Sequence, residues 1–82
     1  MGSKAAAILA QAKSNPAGVR FADLLRLIEA AGFVFDRQTG SHRIYRRAGL
    51  PVINVQPAGS MAKGYQVKQV VKLIETHQLE VL

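Results

Sequence analysis

The sequence predicts an α+β fold: a three-stranded antiparallel sheet with two helices packed on one face, plus an extra N-terminal helix. Three observations carry this. Apolar residues recur at helical spacing over 21–28 and again over 67–74. Between those stretches the period shortens to about two residues across three short runs. The separators "TG" and "AGL" are too short for the crossover that parallel neighbours need, so the three strands form a meander.

Each element has its own local reason. "SKAAAILAQAKS" is rich in strong helix formers and begins with Ser3, a good N-cap, and "NPAG" at 15–18 ends this first helix. "RFADLLRLIEAAGF" sets Phe21, Leu24, Leu25 and Ile28 on one stripe, with Gly32 placed as a C-cap. "FVFDRQ", "SHRIYRR" and "PVINVQ" follow as strands. "PAGSMAKG" at 57–64 is a loop by composition, and "YQVKQVVKLIETHQ" sets Val67, Val70, Val71 and Ile74 on a second helical stripe. The tail "LEVL" is either a fraying helix end or a short strand. All 82 residues form a single domain, with 1–18 as the extra helix and linker and 20–77 as the core.

Alternation assigns the faces of the sheet. Ile44 is expected to face the helices together with Ile53 and Val55, which leaves Arg43, Tyr45 and Arg47 on the uncovered face. His42 then falls at the sheet's end on the helix side.

Composition narrows the chemistry. With no cysteine and two histidines, disulfides and thiolate chemistry are excluded and a structural zinc site is not expected. The longest apolar run, "AAAILA" at 5–10, is far short of a membrane span and lacks signal-peptide flanks, so the chain is expected to be soluble and cytoplasmic. The opening "MGS" has Ala6 where N-myristoylation needs Ser or Thr, and reads equally as an expression remnant.

The net charge of +6 is unevenly placed. Arg37, Arg43, Arg46, Arg47, Lys63, Lys68 and Lys72 lie in a stretch with no acidic residue, whereas the rest of the chain is slightly acidic. Such polarity attracts polyanions, RNA or DNA first among them, although a basic surface with no partner has the same composition.

The order of elements, with "LLRLIEAAGFVFDRQTGSHRIYRR", resembles the HicA family of bacterial toxins. The matching features are a leucine-rich helix ending "AAGF", an Arg before the turn, and "GSH" followed three residues on by an aromatic, Tyr45. The resemblance covers about residues 20 to 76. It implies a fold like a double-stranded RNA-binding domain and an mRNA-cleaving toxin whose catalytic residue is His42, held inactive by a HicB-type antitoxin. The chain departs from the shorter members in its extra N-terminal helix and in "KGYQVKQVVKLIETHQLEVL", where they have a "GTL" helix start, and so looks like a longer branch.

The residues fit that chemistry. RNA is cleaved without a metal or other cofactor when a base removes the 2′-hydroxyl proton and cations stabilise the phosphate, and an imidazole titrates near neutrality. His42 is the candidate general base or acid. Arg37, Arg43 and Lys63 are candidates for phosphate contact, and the Gly40 and Ser41 N–H groups for an anion-binding turn. Tyr45 is a candidate to stack on a base, and Lys68 with Lys72 forms a helical row suited to phosphates. From spacing alone, a histidine that merely caps a turn is the simpler account of His42; the resemblance reverses that balance. His77 is explained by its place at a helix C-terminus.

Two other readings remain open from the residues. One is a non-catalytic RNA-binding module that uses the basic sheet face and the last helix. The other is a protein-interaction role in which an acidic, antitoxin-like partner covers the basic surface. No acidic cluster supports a two-metal nuclease, and no Gly-rich phosphate loop is present.

Overall fold

The computed structural model describes residues 3–82, so the first two residues of the "MGS" opening lie outside the described residues. Helix α1 (Lys4–Ser14) starts where expected: Ser3 Oγ accepts the Ala6 N–H at 3.0 Å. Asn15 closes it, and Pro16, which has no N–H to give, opens a single 3-10 turn, Pro16–Gly18. Helix α2 (Phe21–Ala30) buries Leu24, Leu27 and Ile28. Its exit is a Schellman motif, with Gly32 at φ +92 and the Phe33 and Gly32 N–H groups donating to Ile28 and Glu29. The Arg47 guanidinium donates to the Ala31 carbonyl, which places a cation on the negative end of α2.

Strands β1 (Val34–Thr39), β2 (His42–Arg46) and β3 (Ile53–Val55) form an antiparallel sheet in the order β1-β2-β3. This is the meander that the short separators require. The stretch 57–64, expected as a loop, instead holds a small hairpin, β4 (Pro57–Ala58) and β5 (Met61–Ala62), turning at Gly59 with φ +64. Its stability is non-local, which is why composition did not show it: Phe21 N–H donates to Ser60 at 3.0 Å and Ala62 N–H to Val19 at 2.9 Å. Helix α3 (Gly64–Thr76) buries Val67, Val70, Val71 and Ile74 as its stripe predicts. The tail is neither helix nor strand. It crosses back to α2, where Leu82 N–H donates to Ala30 and Leu79 and Val81 pack on the core.

One core joins all layers. Tyr45, Ile53 and Val55 from the sheet meet Leu24, Leu27, Ile28, Val67, Val70 and Ile74 from α2 and α3, and α1 adds Ile8 and Ala12. The buried Gln66 ties α3 to the edge strand's end: its Oε1 accepts the Gln56 N–H at 3.0 Å and its Nε2 donates to the Tyr65 hydroxyl. No described helix is long and apolar enough to cross a membrane.

The expected assignment of sheet faces is reversed on β2. Tyr45 pairs with Ile53 and is fully buried, whereas Ile44 pairs with Asn54 and lies outside the main core. "HRIYR" offers two adjacent apolar residues, and alternation permits only one of them to face the helices. The larger side chain takes that side because it packs on Ile53 of β3 and edge-to-face on Phe35 of β1, ring centroids 5.7 Å apart. Arg43 and Arg47 follow Tyr45 to the helix side. His42 and Arg46 follow Ile44 to the open face.

Candidate active site

The open face is built around Ile44. Arg37 of β1 and Asn54 of β3 stand opposite it, and His42 and Arg46 lie two residues away along β2. These four polar side chains surround Ile44, which is only 7% exposed although the main core is on the other side.

Arg37 reaches this face through a defect in the strand. Phe35 pairs with Tyr45 and Arg37 with the next residue, Ile44, so Asp36 is bulged out between them. Without the bulge, Phe35 and Arg37 share one face, and the arginine points to the helix side. Asp36 ties the cluster together: its Oδ2 accepts from Arg37 Nη1 at 2.6 Å and from Arg46 Nε at 2.8 Å. The Arg46 hydrogen bond, reinforced by the charges of Arg46 and Arg37, holds the Asp36 carboxyl below its ordinary value against the opposing effect of burial. The three residues together keep one net positive charge, and both guanidiniums remain about half exposed.

His42 begins β2 beside a two-residue turn, Gly40–Ser41, closed by the Thr39–His42 pair. Gly40 has φ +61 and Ser41 does not share the positive φ, the pattern of a type II′ hairpin turn. The Gly40 carbonyl accepts from Gln38 Nε2 at 3.0 Å. The half-buried His42 ring holds Nδ1 2.9 Å from Asn54 Oδ1. An amide oxygen only accepts, so Nδ1 is the donor in this contact, and in the neutral ring that leaves the lone pair on Nε2. Among the described residues Nε2 has no hydrogen-bond partner and is not a buried orphan, so solvent reaches it. The arrangement presents an imidazole nitrogen on the same open sheet face as two cations, with Arg37 diagonal to His42 and Arg46 two residues beyond Ile44.

The residues singled out in the sequence separate into three places. His42, Arg37, Gly40 and Ser41 share the open face and its adjoining turn. Arg43 and Tyr45 do not: the Arg43 guanidinium lies 4.6 Å from the Phe35 ring centroid and donates to Gln38 Oε1 and to the Tyr45 hydroxyl on the helix side. Its Nε is buried without a partner among the described residues. The expected exposed Tyr45 is thus a core residue with a bonded polar tip, because its ring fills the gap between Phe35 and Ile53. Lys63 stands at the N-cap of α3, next to Gly64, which lies against Ala17 of the 3-10 turn. Lys68 and Lys72 line a groove of about 310 Å³ between α1 and α3, with Lys13 and Glu75 paired there at 2.8 Å. Those lysines belong to the helical layer.

Two residues of the open face escaped the sequence reading. Arg46 was counted only as charge, since alternation gave it the buried side. Asn54 gave no local signal, because its partner lies twelve positions away and the pairing depends on strand register.

A family model described as the HicA toxin of bacterial toxin–antitoxin matches residues 21–76, which spans α2 to the end of α3 and leaves α1 outside. Comparison with curated proteins and with solved structures gave no match.

Proposed function

Because this chain belongs to the HicA toxin family, and is thereby the toxin of a toxin–antitoxin system, we propose that it is a metal-independent endoribonuclease that cleaves mRNA through His42. The observation that carries the reading is a solvent-facing imidazole nitrogen on the same face as Arg37 and Arg46. Nε2 of His42 takes the proton of a ribose 2′-hydroxyl, whose oxygen attacks the adjacent phosphorus. Arg37 and Arg46 stabilise the charge that builds on the non-bridging oxygens. The 5′-oxygen of the next nucleotide leaves and takes a proton, so the products are a 2′,3′-cyclic phosphate and a 5′-hydroxyl. His42 as imidazolium can return that proton.

Asp36 is ill suited to hold a metal. Both arginines already occupy its Oδ2, and their charges repel a further cation. The partner that the family implies, an antitoxin, is on this reading a HicB-type protein, and the chain acts in the cytoplasm where mRNA is found.

The test is digestion of a transcript in excess EDTA, followed by analysis of the new ends. Undiminished cleavage with cyclic-phosphate ends is expected. Loss of cleavage in EDTA, or 3′-hydroxyl ends, contradicts the mechanism.

A second reading keeps RNA affinity without catalysis. The exposed Lys68 and Lys72 in the α1–α3 groove favour it, since phosphates can bind there away from His42. Absence of cleavage together with retained, steeply salt-dependent RNA binding selects this alternative.

A further inference from the structure

We propose that Asn54 is the positioning residue of the site, fixing the tautomer and orientation of His42. The inference rests on the reading of His42 as the base of an RNA-cleaving reaction. It deepens that reading by naming the group that prepares the base.

A neutral imidazole has two tautomers, and in water the one protonated on Nε2 is slightly preferred. That tautomer leaves its lone pair on Nδ1, the nitrogen nearer the backbone. In this structure Nδ1 lies 2.9 Å from an amide oxygen, which accepts a hydrogen and cannot donate one. The bond therefore selects the tautomer protonated on Nδ1 and leaves the Nε2 lone pair free. It also restrains the ring, because Asn54 is anchored on β3 while His42 is on β2. When Nε2 accepts a proton from substrate, the resulting imidazolium keeps its Nδ1–H bond to Asn54, so no reorganisation of that bond accompanies the transfer.

The sheet supplies the residue by register. Ile53 and Val55 are buried in the core, so Asn54 between them points to the open face. Its main-chain partner is Ile44, which places it diagonally across from His42, within reach of a side-chain bond. No other side chain among the described residues hydrogen-bonds His42. Asn54 is itself exposed and fills no core space, so its replacement leaves folding intact.

The experiment combines the tautomer with kinetics on wild type, Asn54→Ala, Asn54→Asp and His42→Ala. In wild type, the ring-nitrogen NMR shifts of neutral His42 should report the Nδ1–H tautomer; in Asn54→Ala they should move toward Nε2–H. Transcript cleavage by Asn54→Ala should fall about 10- to 100-fold in kcat with KM within about twofold. Asn54→Asp restores an acceptor and should recover most of kcat. Its carboxylate favours imidazolium, so the acid limb of its pH–rate profile should move to higher pH. An Nε2–H tautomer in wild type overturns the proposal, as does wild-type cleavage by Asn54→Ala. Wild-type cleavage by His42→Ala instead overturns the underlying reading of the base. The two failures are therefore distinct.

Discussion

At the scale of single residues, Tyr45 and Asp36 show what local chemistry adds to the sequence. An aromatic on a basic strand suggests base stacking, yet Tyr45 is fully buried and its hydroxyl accepts from Arg43. Tyr45→Ala is expected to cost about 3–5 kcal/mol in denaturant unfolding, and Tyr45→Phe about 1 kcal/mol. Reduced RNA affinity with unchanged stability contradicts that placement. Asp36 has its carboxyl depressed by Arg46 first and Arg37 second. A depressed carboxyl stabilises the fold above its unfolded-state value and loses that contribution as pH falls through the folded value. The advantage of wild type over Asp36→Asn is thus expected to be full above about pH 4 and to fade on further acidification. Unfolding curves of both proteins across the acid range check this.

The hairpin of β1 and β2 carries the site at the scale of elements. Its turn needs Gly40 at positive φ, with open space around a hypothetical Cβ, so backbone conformation alone resists substitution. Gly40→Ala is expected to destabilise by about 1–2 kcal/mol, read from the unfolding midpoint at unchanged slope. The elements themselves were legible in the sequence, because periodicity, Ser3, Gly32 and the short separators are local signals. Register was not. Alternation stated correctly that Ile53 and Val55 face the helices, but it put Ile44 there in place of Tyr45, a choice that depends on how β2 aligns with both neighbours. The bulge at Asp36 was equally hidden, since one extra residue leaves no compositional trace. The hairpin within 57–64 escaped for a related reason, as its bonds go to Val19 and Phe21.

The whole molecule separates an open sheet face from a helical layer. His42 was legible as a candidate through the family resemblance that "GSH" helps to carry, since spacing alone favoured a histidine that caps a turn, and the structure puts Arg37 on the same sheet face. The charge excess, one stretch in the sequence, divides among three surroundings: Arg37 and Arg46 on the open face, Arg43 and Arg47 packed on the helix side, and Lys63 at the N-cap of α3 with Lys68 and Lys72 along it, the last two in the groove that α1 creates. Charge counts do not reveal that division, because it follows from alternation and from the packing of a helix outside the family match.

The central claim is that the open face cleaves RNA through His42, and the most direct measurement pairs cleavage with binding in His42→Ala. The account predicts that the variant loses cleavage by about a hundredfold or more while its RNA affinity stays within about twofold of wild type. Equal cleavage by variant and wild type contradicts it.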